Sequence, residues 1–195
     1  DLPRLSKLPQ LKTLVLDDTE VSNAGLEHLP LLKQLATLSL AGTRISDPGL
    51  PQLARCRSLE SIDISRTRIT NKGLASLGSL TQLKGLAIGN TRISNTGLRQ
   101  VCSLPALEVL WINNTTITDA GLPAVTKPKR LRELDLSGCR ISDTGLRHLA
   151  NARGLKLLFL GGTQVTPKGI KLLQSALPQC DIQYRPSTTD GKSSK

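Results

Sequence analysis

Few residues of this 195-residue chain have the types and spacing that bond-making chemistry requires. The two histidines, His28 and His148, are far apart in the sequence. The pair Gly161-Gly162 is not followed by Lys-Ser/Thr, so it makes no phosphate-cradling loop. The four cysteines, Cys56, Cys102, Cys139 and Cys180, include no C-x-x-C pair and imply no zinc site. No histidine stands near them to activate a thiol. What remains is suited to recognition. The chain's single Trp and single Phe, Trp111 and Phe159, have Asp135 midway between them. Exposed aromatics of this kind anchor binding surfaces. A second set, Arg44, Arg66, Arg68 and Arg92, offers guanidinium groups that could clamp an anion.

These residues are positioned by a repeat. A 24-residue phrase, L-x-x-L-x-L-x-x-T-x-I-[ST]-x-x-G-L-x-x-L, starts at Leu11, Leu35, Leu59, Leu83, Leu107, Leu131 and Leu155 without insertion or deletion. A fixed period of that length predicts a stacked array rather than a globule. Positions 1 to 6 alternate apolar and variable residues, the mark of a strand with one buried face. The buried set includes Leu38/Leu40, Ile62/Ile64, Leu86/Ile88, Leu110/Ile112, Leu134/Leu136 and Leu158/Leu160. Position 9 is Thr in six repeats and Cys139 in the other, a place for a small group that satisfies turn backbone. Position 12 is always Ser or Thr, which suits a helix N-cap, and Pro167 follows Thr166 as a first helical residue. Position 15 is always Gly, which predicts either close approach between coils or an unusual dihedral. Apolar residues at positions 16, 19/20 and 22/23 then give a short helix its inner stripe, as in Leu74, Leu77 and Leu80.

Stacking at about 5 Å per coil fixes the distances. His28 and His148 share position 18 but lie five repeats apart, roughly 24 Å, and cannot act together. Asp63 and Asp135 are three repeats apart, too far for an acid–base pair. The cysteines fall in non-adjacent repeats and are expected as free thiols, which favours a reducing compartment. No catalytic residue, metal site or cofactor is expected. The array is expected to span 1–186, with a half repeat at 1–10, a last strand at 179–184 and a disordered polar tail at 187–195. The half repeat exposes raw apolar surface where a solenoid needs a cap, so further chain is expected before residue 1. No charged-then-apolar leader is visible and no apolar run reaches membrane-spanning length.

The phrase resembles a leucine-rich repeat over residues 1 to about 184. Its L-x-x-L-x-L-x-x-T start followed by I-[ST]-[DN]-x-G-L looks like the 24-residue repeats of planctomycete-type bacterial proteins. It is also similar to the cysteine-containing repeats of F-box proteins. The resemblance implies a right-handed α/β horseshoe with a parallel sheet on the concave side and short helices on the convex side. It also implies that the concave sheet binds other proteins. Thr replaces the family's usual Asn or Cys at position 9, which leaves the fold expectation intact and blurs the subclass.

Charge refines this expectation. Of the fifteen acids, eight fall at concave positions: Asp17, Asp18, Glu60, Asp63, Glu108, Glu133, Asp135 and Asp181. Six bases do: Lys12, Arg66, Lys84, Arg132, Lys156 and Arg185. That face is near −2 while the rest of the chain carries +13. A nucleic-acid groove on the sheet is disfavoured, because phosphate contacts dominate such binding. The leading expectation is a non-catalytic module that binds a protein or peptide through Trp111, Phe159, Asp135, Asp63, Glu133 and Asn113. The alternatives are an anion or nucleic-acid binder using Arg44, Arg66, Arg68 and Arg92 on a rim, and a structural spacer within a larger protein.

Overall fold

The computed structural model describes residues 7–185. Leu2 and Leu5 of the half repeat and the polar tail lie outside the described residues. Eight three-residue strands form one open parallel sheet in strict chain order: β1 (Thr13–Val15), β2 (Thr37–Ser39), β3 (Ser61–Asp63), β4 (Gly85–Ala87), β5 (Val109–Trp111), β6 (Glu133–Asp135), β7 (Leu157–Phe159) and β8 (Asp181–Gln183). The register advances by one full repeat at every step, so Leu14, Leu38, Ile62, Leu86, Leu110, Leu134, Leu158 and Ile182 face one another in line. Side chains of equal repeat position therefore form columns across the molecule. The ladder continues past the strands. The N–H of position 6 donates to the position 5 carbonyl of the next coil, as Ile88 does to Trp111 at 2.9 Å. The N–H of position 8 donates to the next position 7, as Asn90 does to Asn113 at 2.8 Å.

The core is a continuous stack of Leu and Ile under the sheet, with Leu59, Ile64, Ile69, Leu83, Ile88, Ile93, Leu107, Leu110 and Ile112 inaccessible to solvent. Each column is one repeat position, because a period-two strand and a one-faced helix both turn the same residues inward. At position 9 the threonine hydroxyls donate to the position 6 carbonyl of their own coil, Thr91 to Ile88 at 2.6 Å and Thr115 to Ile112 at 2.7 Å. Cys139 departs from this pattern: its thiol turns back to the Ile112 carbonyl of the preceding coil at 3.3 Å.

On the other side the connections are helical, but only some are α. Three coils form the longer α-helices α3 (Asn95–Val101), α4 (Asp143–Leu149) and α5 (Pro167–Ala176), where Pro167 occupies the first turn. Pro30 and Pro123 sit inside the 3-10 segments Asn23–Leu31 and Asp119–Thr126. A proline has no N–H to give an α-helical bond, and the tighter winding accommodates it. The second coil, with Pro48 and Pro51, breaks into the 3-10 turn Asp47–Gly49 and the short α1 (Leu50–Leu53). The third divides into α2 (Asn71–Leu74) and the 3-10 segment Ala75–Ser79. The expected N-cap is present where an α-helix follows directly: Thr70, Ser94, Ser142 and Thr166 each accept a backbone N–H. Ser22, Ser46 and Thr118 precede 3-10 segments and make no such bond, which corrects the uniform N-cap expectation.

Position 12 has a further partner that links coils. The Asn or Asp at position 13 reaches across to the next coil, and its Oδ1 accepts the position 12 N–H: Asn23 from Ser46, Asp47 from Thr70, Asn71 from Ser94, Asn95 from Thr118, Asp119 from Ser142 and Asp143 from Thr166, all within 2.7–3.0 Å. The second atom completes a two-bond clamp. Asn71 Nδ2 donates to Ser94 Oγ at 2.8 Å, while Thr70 Oγ1 donates to Asp47 Oδ2 at 2.6 Å. This clamp explains the glycine column. A Cβ on Gly97 would lie 2.5 Å from Asn71 Oδ1, and one on Gly121 would lie 2.5 Å from Asn95 Oδ1. Close approach is the reason for these glycines, since positive φ occurs elsewhere. Among the described residues the left-handed ones are all at position 8: Asp18, Gly42, Arg66, Asn90, Asn114, Gly138 and Gly162, with φ between 53° and 70°.

Candidate functional site

Strand register brings Asp63, Ala87, Trp111, Asp135, Phe159 and Gln183 into one row along the exposed face of the sheet. Trp111 is 43% exposed and Phe159 is half-buried, and neither ring enters the core. The indole is held in place: Nε1 donates to Glu133 Oε1 at 2.7 Å, across to β6. Asp63 and Asp135 each turn one oxygen back on their own chain, accepting the Ser65 and Ser137 N–H at 2.8 Å. Their second oxygens make no hydrogen bond among the described residues. Asn113 leans over Gly89, where its amide carbon stands 2.8 Å from the site a Cβ would take. The register thus joins Asp63, Trp111, Asp135 and Phe159, Glu133 is tied to them through the indole, and Asn113 borders the row.

Beside the indole the sheet dips. Gly85 and Ala87 on β4 are the smallest pair of outward residues on any strand. Between the taller flanks of Ser61 and Asp63 on one side and Val109 and Trp111 on the other they leave a recess of about 180 Å³. The sequence reading missed this recess, whose signal is two adjacent small residues at positions 3 and 5 next to the one Trp. A second groove, of about 340 Å³, lies on the opposite side of the molecule between α4 and α5, where Leu172 is 66% exposed.

The rim arginines are partly committed. Arg44 forms an ion pair with Glu20, and Arg66 contacts Asp18 at 3.1 Å across Gly42. Arg68 and Arg92 are exposed and form no ion pair among the described residues. At the other edge of the sheet, position 2 alternates in sign through Glu60, Lys84, Glu108 and Arg132. Lys84 donates to Glu60 at 2.7 Å, and that carboxylate holds the ammonium above its usual range. All four thiols are free and buried. Burial pushes Cys56 up to about 11 and Cys102 up to about 12, and it also raises Cys139 and Cys180. Among the described residues no cluster of three metal-ligating side chains occurs, and no helix is long and apolar enough to cross a membrane.

Comparison with known proteins agrees with this geometry. A family model described as a leucine-rich repeat matches residues 55–78 and 129–150. No curated protein sequence matches the chain. Among solved structures, an internalin from Listeria monocytogenes superposes with a TM-score of 0.74 at 23% identity, covering 97% of this chain and 52% of its own. A leucine-rich repeat protein of Leptospira interrogans gives 0.66 at 19% identity, over 93% of this chain and 50% of its own. Internalin C2 of Listeria monocytogenes gives 0.65 at 21% identity, over 89% and 80%. This chain therefore spans about half the length of the first two.

Proposed function

Because the chain is a leucine-rich repeat protein, whose fold is generally a protein-interaction module and typically not an enzyme, we propose that it acts as a recognition module for a protein or peptide seated on the concave sheet. Trp111 and Phe159 are its anchors, with Asp63, Glu133, Asp135 and Asn113 as polar surroundings. One observation carries the reading: the chain's single indole is exposed, fixed by Glu133, and set against an unfilled recess. A rigid aromatic beside a pocket adds binding energy without a large ordering cost, which is how interface anchors work. The expected result of replacing both Trp111 and Phe159 by Ala is a loss of at least about 2 kcal/mol in partner binding, measured by titration calorimetry. Unchanged affinity would remove the anchors. Anion binding along the arginine rim has less support, because Glu20 and Asp18 already neutralise Arg44 and Arg66 and leave Arg68 and Arg92.

A further inference from the structure

Three features of the concave row converge on one ligand chemistry. Trp111, Asp135 and Phe159 occupy successive strands at the same register. At the strand spacing of about 4.8 Å the two rings stand about 10 Å apart, with the carboxylate midway. A group resting over Asp135 is then about 5 Å from each ring column, within the range at which a cation is attracted to an aromatic face. Asp135 keeps one oxygen outside its bond to Ser137, and no ion pair among the described residues uses either Asp135 or Glu133. Positions 3, 5 and 7, the floor of this face, carry Asp17, Asp63, Glu133, Asp135 and Asp181 against Arg185 alone. The floor is therefore acidic although the chain as a whole is strongly basic. On the far side of the indole the recess over Gly85 and Ala87 is apolar in most of its lining and has Asp63 at its lip.

We infer that the ligand is an extended peptide with a basic residue, Arg or Lys, seated over Asp135 between Trp111 and Phe159, and an apolar residue about three positions away filling the recess at Ala87. The spacing follows from the distance between β4 and β6, about 10 Å, divided by the rise of an extended chain, about 3.3 Å per residue. The inference rests on the concave-face reading and adds the chemistry of the partner to it.

The test uses the whole chain and an array of decapeptides spanning acidic, neutral and basic compositions, with affinities measured in solution by the fluorescence anisotropy of an end-labelled peptide. Peptides whose binding is lost in Trp111→Ala are the concave binders. Among them, exchange of a single Arg or Lys for Gln is expected to weaken binding roughly tenfold or more. Asp135→Asn is expected to do the same while its Oδ1 still accepts the Ser137 N–H, and an unchanged melting temperature checks that the fold is intact. Phe159→Leu, which keeps apolar bulk and removes the ring, is expected to weaken basic peptides selectively. Concave binders without a basic residue, or indifferent to Asp135→Asn, overturn the cationic anchor and leave concave binding standing. The absence of any Trp111-dependent peptide overturns both.

Discussion

At the scale of single residues, buried hydroxyls and thiols occupy equivalent places and differ in what they contribute. Thr91 is 7% exposed, and its hydroxyl donates to the Ile88 carbonyl at 2.6 Å. Thr91→Val keeps the shape and leaves that carbonyl without its side-chain donor, so a loss of about 1–3 kcal/mol is expected, read as a shift in the urea midpoint at constant slope. Cys139→Thr should move the other way, by about 0.5–1.5 kcal/mol, since a hydroxyl restores the bond to Leu136 that the thiol forgoes. The thiols themselves are set against reaction. Raising Cys56 from 9.0 to about 11 lowers its thiolate fraction near neutral pH by about a hundredfold. Iodoacetamide should therefore label the folded chain far more slowly than the urea-unfolded chain. The same shift makes a prediction for stability. The folded state holds these protons more tightly than the unfolded state, so their contribution is complete below pH 9.0 and is lost as pH rises towards about 11. A urea midpoint that failed to fall across that window would count against the burial argument.

At the scale of elements, the clamp between position 13 and the next position 12 does more than the N-cap expected from sequence. Asp119 accepts both the N–H and the hydroxyl of Ser142, at 2.9 Å and 2.5 Å, and so fixes the start of α4 against the preceding coil. Asp119→Ala should cost about 1–3 kcal/mol, because the Ser142 N–H loses its partner. Asp119→Asn should be nearly neutral, since Asn23, Asn71 and Asn95 already make the clamp in amide form. Thermal melts of the two variants decide whether the bond or the charge matters. Strand positions, core columns and the row holding Asp63, Trp111, Asp135 and Phe159 were legible in the sequence, because an unbroken 24-residue period converts position into column. The clamp was not, since a Ser or Thr before a helix reads equally well as a local cap, and only stacking reveals the acceptor from the neighbouring coil. The left-handed turn at position 8 was hidden by Arg66, which breaks an otherwise Gly, Asn and Asp column. The recess at Gly85 and Ala87 could not be read from those residues alone. A missing side chain becomes a cavity only when its neighbours on β3 and β5 are known to stand beside it.

At the scale of the whole molecule, the array is quasi-one-dimensional: each coil packs on its neighbours, and among the described residues β1 and β8 each pair with a single strand. The consequence is visible in burial. Leu86, Leu110 and Leu134 are at most 1% exposed, whereas Leu14 on β1 and Ile182 on β8 are only partly buried. Opening free energies should therefore rise from both ends towards β4, β5 and β6. Native-state hydrogen exchange tests this directly. The amides of Leu86, Leu110 and Leu134 should exchange at rates set by global unfolding, and those of Leu14 and Ile182 orders of magnitude faster. The proposed recognition row takes Trp111 and Asp135 from these central strands and Phe159 from the adjoining β7, so most of its geometry would exist before a ligand arrives. A ligand would then meet a surface already ordered, and little of its binding energy would go to arranging Trp111, Asp135 and Phe159. Uniform exchange along the sheet would mean that the coils unfold as one unit. Faster exchange at β5 than at the ends would mean that the indole rests on a mobile platform, and the rigid-anchor account of this face would fail.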